Sequence, residues 1–203
     1  MLKLYLIRHG LTEWNRTNRF QGSTDIELCN EGLEQAVKIA ERMSVESIDA
    51  VYSSDLSRAY ATAQHIASHH QLDVIKVPEV REIHFGQWEG MTRSEIEKQK
   101  EYDFSAWHES PHTATFPGEG TLSAVQKRIM VGLNKIIEES KEKNIVLVSH
   151  GGSIKLSILS LLDLDLSFYN KFWLGNTSLS IIELNKEKYI LSLLNDMSHL
   201  SNI

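Results

Sequence analysis

Ile145-Val146-Leu147-Val148 runs without a spacer into Ser149-His150-Gly151-Gly152-Ser153, and this stretch decides how the whole chain is read. The apolar run suits a short buried strand, and a helix is predicted behind it from Ile154 to Leu162. Upstream, Leu122, Val125, Ile129, Leu133 and Ile136 recur at steps of three and four, which predicts a helix over Ser123 to Lys141. The amino terminus has the same grammar. Leu2 to Ile7 reads as a strand ending in Arg8-His9-Gly10, and Asn30 can cap a helix that lines up Leu33, Ala36, Val37, Ala40 and Met43. Ile48 to Tyr52 is a second strand; Ser53, Ser54 and Asp55 offer a cap before Ala59, Ala63, Ile66 and Ala67 at helical spacing. Val74 to Val77 before Pro78 reads as a third strand. Ser178 to Leu184 and Lys188 to Leu194 read as a hairpin around the turn-like Asn185-Lys186-Glu187. Strands alternating with helices predict an α/β fold: a three-layer α/β/α sandwich with a mainly parallel sheet and an antiparallel strand near the carboxyl end.

Composition narrows the class. At 203 residues, 41% hydrophobic and 24% charged, the chain is expected to form a single domain (1–203) and is a poor fit to disorder, collagen or coiled coil. A formal charge of -6 argues against broad electrostatic binding to nucleic acid or to anionic membranes, so no nucleic-acid or membrane partner is expected. The single cysteine, Cys29, excludes an intramolecular disulfide and a Cys-based zinc site, and suits a reducing compartment. Leu2 to Ile7 is too short for a signal-peptide core and no apolar run approaches transmembrane length; the cytoplasm is the expected location.

In open α/β sheets ligands bind beyond the carboxyl ends of the strands. There the sequence places Arg8-His9-Gly10, then Ser53-Ser54-Asp55 with Arg58 in the next helical turn, then Ser149-His150-Gly151-Gly152. Two arginines and two histidines on one edge supply at least two positive charges, which matches a phosphate monoester. Amide groups at the start of the helices following Ser54 and Gly152 are expected to point at the same anion. One other stretch stands apart. Phe85 to Phe116 holds six of the chain's sixteen aromatics: Phe85, Trp88, Tyr102, Phe104, Trp107 and Phe116. It reads either as part of a lid insertion around 84–120 or as rings packed in a satellite cluster.

Taken together, L-I-R-H-G-L-T-E-W-N (6–15), F-Q-G (20–22), D-I-E-L-C-N-E-G (25–32), V-Y-S-S-D-L-S-R-A-Y-A-T-A (51–63), E-I-H-F-G-Q-W-E-G (82–90), P-G-E-G (117–120) and V-L-V-S-H-G-G (146–152) resemble the histidine phosphatase superfamily. The likeness to this phosphoglycerate-mutase-like clan spans nearly the whole chain. It implies a nucleophile at His9, a phosphate clamp of Arg8, Arg58 and His150, and a proton donor at Glu82. It also implies pocket-lining roles for Asn15, Gln21, Gly22 and Gly151. Leu11 stands where many members carry a glutamate, and His84 where an acidic residue is common. The tail L-N-D-M-S-H-L (194–200) resembles that of α-ribazole phosphatases and some metal-independent phosphoserine phosphatases, so His199 either borders the substrate or closes the last strand.

The chemistry is coherent without metal or cofactor. A neutral imidazole attacks phosphorus in line if its other nitrogen donates to a carbonyl. Arg8, Arg58 and His150 would spread the growing charge on the phosphoryl oxygens. A carboxyl group must protonate the alkoxide and then activate water, a double role that Glu82 fits. Metal hydrolysis is disfavoured: His65 and His69 are four apart but lack a zincin glutamate, and Pro111 separates His108 from His112. G-G-S-I-K (151–155) is not a serine-hydrolase elbow, and there is no P-loop. Phosphoglycerate mutases of the clan are longer and carry a basic pair after the acid, whereas only Arg93, Lys98 and Lys100 occur between Glu82 and Gly120. The expected activity is therefore hydrolysis of a small phosphomonoester such as α-ribazole phosphate or phosphoserine, with the aromatics favouring an apolar or aromatic body. A mutase and a non-catalytic phospho-ligand binder are the alternatives.

Overall fold

The computed structural model describes residues 2–99, 101–140, 143–185 and 188–201. Six strands form one sheet: β1 (Leu2–Arg8), β2 (Ala50–Ser53), β3 (Val74–Lys76), β4 (Asn144–Ser149), β5 (Leu179–Asn185) and β6 (Lys188–Asp196), in the order β3-β2-β4-β1-β5-β6. The first four strands run parallel, β5 is antiparallel to β1, and β6 is antiparallel to β5. Seven α-helices accompany them among the described residues: α1 (Glu13–Arg16), α2 (Asn30–Met43), α3 (Ser57–His70), α4 (Arg93–Ile96), α5 (Phe104–Glu109), α6 (Leu122–Glu139) and α7 (Gly151–Leu161). No helix is long and apolar enough to cross a membrane among the described residues.

The period-two alternation of side chains on the central strands divides the core in two. On one face Tyr5, Ile7, Val51, Val146 and Val148 meet Ile39, Ala40 and Met43 of α2 and Ala59, Ala63 and Ile66 of α3. On the other, Leu2, Leu4, Leu6, Tyr52, Ile145 and Leu147 meet Leu133 and Ile136 of α6 and Ile154 and Ile158 of α7. These are the three expected layers. The central strands are buried on both sides, which is why they read as continuous apolar runs.

Helix starts differ from the sequence expectation in instructive ways. Asn30 is the first residue of α2 rather than its cap, and Cys29 holds the cap position with no side-chain bond. Leu56 caps α3, and the first amide, Ser57 N, donates instead to Asp25 Oδ1 at 2.8 Å, a carboxylate from a distant loop. Helix α7 starts at Gly151, three residues before the first apolar position. Helix α6 is described to Glu139, and Lys141, like Lys186 and Glu187 of the expected hairpin turn, lies outside the described residues.

The segment beyond Glu82 is anchored by packing. Trp88 is 0% and Phe116 1% exposed, and with Phe85, Phe104 and Trp107 they form a third cluster on Leu122, Val125 and Ile129 of α6 and Leu156 and Leu159 of α7. The rings meet one another edge to face, as Trp107 and Phe116 do at 5.0 Å and Phe20 and Phe85 at 5.2 Å. The satellite-cluster reading describes these side chains. Phe85, Trp88, Trp107 and Phe116 pack on one another, whereas Tyr102 and Phe104 also line an open cavity with Arg93, Asp103 and His108.

The loop after β1 is held by a close backbone approach to α2. Cys29 N donates to Leu11 O at 3.1 Å, and Leu11 N donates to Gln35 Oε1 at 2.9 Å. A methyl group at Gly10 would fall 2.5 Å from Gly32 O, and one at Gly32 would strike the Leu11 carbonyl. Gly32→Ala is therefore expected to lower stability by about 1–3 kcal/mol, the usual cost of overpacking against unyielding atoms. An unchanged urea midpoint for this variant would show that the loop yields freely.

Candidate active site

The parallel register brings the ends of three strands level. Arg8 pairs with Ser149, His9 N donates to Ser149 O at 2.9 Å, and Ser54 N donates to Val148 O at 3.0 Å. His9, His150 and Ser54 therefore leave adjacent strands at one height, and Arg58 enters from the first turn of α3. All four are buried, His9 at 2% exposure and Arg58 at 0%.

His9 Nδ1 lies 2.7 Å from Gly10 O. A carbonyl only accepts, so Nδ1 carries the proton and Nε2 keeps its lone pair. Burial holds the His9 pKa well below the ordinary histidine value, and the positive charges of Arg58 and Arg8 push it the same way. The His150 ring centre is 5.1 Å from that of His9, with the planes tilted by 59°. Its Nδ1 accepts from Arg58 Nε at 3.2 Å, which leaves Nε2 to donate to Ser54 Oγ at 2.9 Å. Burial, then Arg58, also depress His150.

Arg58 has no carboxylate within bonding distance among the described residues. Its terminal nitrogens donate to Gly22 O at 2.7 Å and Thr24 O at 2.8 Å, and burial lowers its pKa to about 10. Arg8 Nη1 donates to Leu174 O at 2.7 Å, while its Nε is buried without a partner. A methyl group at Gly151 would lie 3.5 Å from that nitrogen, so the glycine leaves space beside it. A buried donor with nothing to bond is expensive unless a ligand supplies the acceptor.

Glu82 stands on the other side of this cluster. Its carboxylate accepts from Gly152 N at 3.0 Å, Ser153 N at 3.2 Å and its neighbour Ile83 N at 3.0 Å. The first-turn amides of α7, expected to face the anion, thus hold Glu82 instead. Arg128 fixes the approach from behind, donating to the backbone oxygens of Glu79, Arg81 and Glu82. Arg81 pairs with Asp55 rather than with Glu82.

A desolvated cationic pocket, an imidazole with its nucleophilic nitrogen free, and a positioned carboxyl group match one family. The profile of the histidine phosphatase superfamily (branch 1) covers residues 4–197. The chain belongs to the histidine phosphatase superfamily. It is 36% identical to phosphoserine phosphatase 1 of Hydrogenobacter thermophilus over 98% of this chain and 95% of that protein. It is 31% identical to the adenosylcobalamin/alpha-ribazole phosphatase of Escherichia coli, over 96% of each chain. A crystal structure of phosphoserine phosphatase from Entamoeba histolytica, in complex with 3-phosphoglyceric acid, superposes with a TM-score of 0.89 at 36% identity, over 98% of this chain and 100% of that one. This histidine phosphatase is an enzyme of the phosphatase class, with the phosphoglycerate-mutase-like fold of its structural neighbours.

Of the residues singled out in the sequence of this histidine phosphatase, Arg8, His9, Arg58, His150, Glu82 and Gly151 come together. Gly22 joins through its carbonyl on Arg58, with φ +55°. Gln21 Oε1 accepts from the Thr12 hydroxyl at 2.5 Å, and Asn15 Oδ1 accepts from Asn176 Nδ2 at 3.2 Å. His199 does not reach His9. Its Nε2 lies 3.2 Å from Thr177 Oγ1, and it lines a separate shallow cavity with Lys38 and Arg42, where burial and then Arg42 lower its pKa to about 4. His84 bonds Ser23 Oγ at 2.8 Å and Glu89 Oε1 at 3.0 Å. His69 and His70 occupy the last turn of α3.

Several functional residues escaped sequence reading. Asn176 Nδ2 donates to the carbonyls of His9 at 3.0 Å and Gly10 at 3.2 Å, and Thr62 Oγ1 accepts from Gly10 N at 3.1 Å. Glu89 gathers Ser23, Thr24 and Phe85 around the loop that bonds Arg58. Asn176 and Thr62 carry no local signal, because each acts on backbone far away in sequence.

Depressed histidine pKa values give stability a pH slope. Unfolded histidines take up protons near pH 6.5 while buried His9 and His150 do not, so the unfolded state binds more protons and stability falls as pH drops below about 6.5. Each contributes about 1.4 kcal/mol per pH unit until its own folded value is reached. Unfolding in phosphate-free buffer at about pH 7.5 and 5.5 should show this loss, and His150→Gln should reduce it by about one histidine's share. Equal losses in parent and variant would contradict neutral burial.

Proposed function

We propose that this protein hydrolyses small phosphate monoesters through a phosphohistidine at His9. The observation that carries the reading is the Nδ1 contact to Gly10 O at 2.7 Å, which leaves Nε2 as the only ring lone pair, beside Arg8 and the buried Arg58, which have no carboxylate partner among the described residues. Nε2 attacks phosphorus, the bond to the alcohol oxygen breaks, and Glu82 gives that oxygen its proton. Glu82 then takes a proton from water, whose oxygen attacks phosphorus; the P–N bond breaks and inorganic phosphate leaves with His9 restored. Arg8, Arg58 and His150 hold the phosphoryl oxygens and stabilise their charge in both steps.

Phosphoserine is the leading substrate class, supported by the names of relatives that this chain covers nearly end to end. The aromatic cluster between Glu82 and Gly120 is the ground for the second reading, an apolar or aromatic body. Residues 84–120 serve as a cover beside the acid in what we take to be a one-domain enzyme, packed on α6 and α7 through that cluster. The lone cysteine and the acidic charge support work in the cytoplasm on a small molecule rather than on nucleic acid.

Phosphate release from p-nitrophenyl phosphate and phosphoserine in excess chelator tests the mechanism. The parent protein should turn over, His9→Ala should be inactive, and Glu82→Gln should lose about 10²–10⁴-fold in kcat for the ester with the poorer leaving group. Acid-labile phosphate should be trapped on the parent and not on His9→Ala. Full activity in His9→Ala, or loss of activity on chelation, would overturn the proposal.

A further inference from the structure

A cation outside the 82–120 segment stands beside the acid. Lys155 lies one turn into α7, and its ammonium sits 4.8 Å from the centre of the Tyr169 ring and 5.7 Å from that of Phe172. It is half-buried and forms no ion pair among the described residues. Burial lowers its pKa, with Glu82 pulling upward and Arg8 pushing downward, so both groups are within electrostatic reach.

Tyr169 brings this cation to the site. The side chain is 6% exposed, and its hydroxyl forms no hydrogen bond among the described residues. A methyl group at Gly152 would fall 2.6 Å from Glu82 Oε1 and 2.9 Å from the Tyr169 hydroxyl, so phenol and carboxyl flank the same turn of α7. Burial and Glu82 both raise the phenol pKa, which keeps it protonated and a donor.

A phenol and an ammonium, both partly desolvated, thus stand beside the proton donor without an acceptor of their own. Had Lys155 served only to neutralise Glu82, an ion pair would be its cheapest arrangement, yet the carboxylate takes three backbone amides instead. Because Glu82 protonates the leaving oxygen, groups beyond it border the alcohol half of the substrate. An anion there would accept from both the phenol and the ammonium.

We propose that Tyr169 and Lys155 form a carboxylate subsite for the alcohol half, so that the preferred substrates are phosphomonoesters carrying a carboxylate near the ester oxygen. This rests on the phosphatase reading above and narrows it. Neither residue lies where a basic pair would be sought along the segment after Glu82: Lys155 is on α7, and Tyr169 is in the turn at Leu166–Asn170 that follows it.

The test compares phosphoserine with phosphoethanolamine, which differ only by the carboxylate. The parent enzyme should favour phosphoserine by at least about tenfold in kcat/KM, and Lys155→Met should collapse that ratio by about 10- to 100-fold, the range for a hydrogen bond to a charged group. Tyr169→Phe should collapse it partly, and Lys155→Arg should restore most of it. Circular dichroism and urea midpoints report whether each variant is folded. A parent enzyme that does not discriminate, or variants that lose both substrates in proportion, would overturn the subsite while leaving phosphatase activity standing. Proportional losses with a shifted pH profile would assign the pair to Glu82 instead. No phosphate release from either ester by the parent would overturn the phosphatase reading itself.

Discussion

The parallel register that sets Ile7 and Ser53 on either side of Val148 governs everything at the carboxyl edge of the sheet. Because side chains alternate faces, a slip of one residue would bury the wrong set on every strand, so the two cores hold the register tightly. With that pairing in place, His9, Ser54 and His150 leave their strands together. The site needs no loop to search for it; it is an end-product of how Leu4, Leu6, Ile145 and Leu147 pack against α6 and α7.

Assembling this edge costs stability. Among the described residues Arg58 is buried without an ion-pair partner and Arg8 has an unpaired Nε, and both histidines are kept neutral by burial and by those arginines. Backbone carbonyls of Gly22, Thr24 and Leu174 offset part of the desolvation while leaving the positive charge uncancelled. A carboxylate in their place would stabilise the free protein and abolish its attraction for an anion. Glu82 is instead held by the amides of α7, which sets its carboxyl apart from the arginines.

The aromatic segment works at one remove from the chemistry. Its rings fill a third core on α6 and α7, and that core anchors the chain between Glu82 and Gly120. Arg128 and Glu119 then tie the stretch at 79–84 to α6, with Arg128 Nε 2.6 Å from Glu119 Oε1 and His84 N 2.8 Å from Glu119 Oε2. The position of the acid therefore depends on packing about one helix diameter away.

Local sequence determined a great deal here. Apolar runs at Leu2–Ile7 and Ile145–Val148 announce buried strands because a strand covered on both faces admits few polar residues, and the i, i+3, i+4 spacing announces α2, α3 and α6. Arg8, His9, Arg58, His150 and Glu82 were legible because each sits next to a strand end or in a motif contiguous in sequence. Tertiary structure alone decided the partners: Asp25 on α3, Asn176 on the carbonyls of His9 and Gly10, α7 amides on Glu82, and Lys155 with Tyr169 beside it. It also turned the aromatic segment inward and kept His199 away from His9. The division has one physical cause. Strand and helix patterns arise from the periodicity of neighbouring residues, whereas hydrogen-bond partners and ring packing join groups tens to more than a hundred positions apart, which no local pattern encodes.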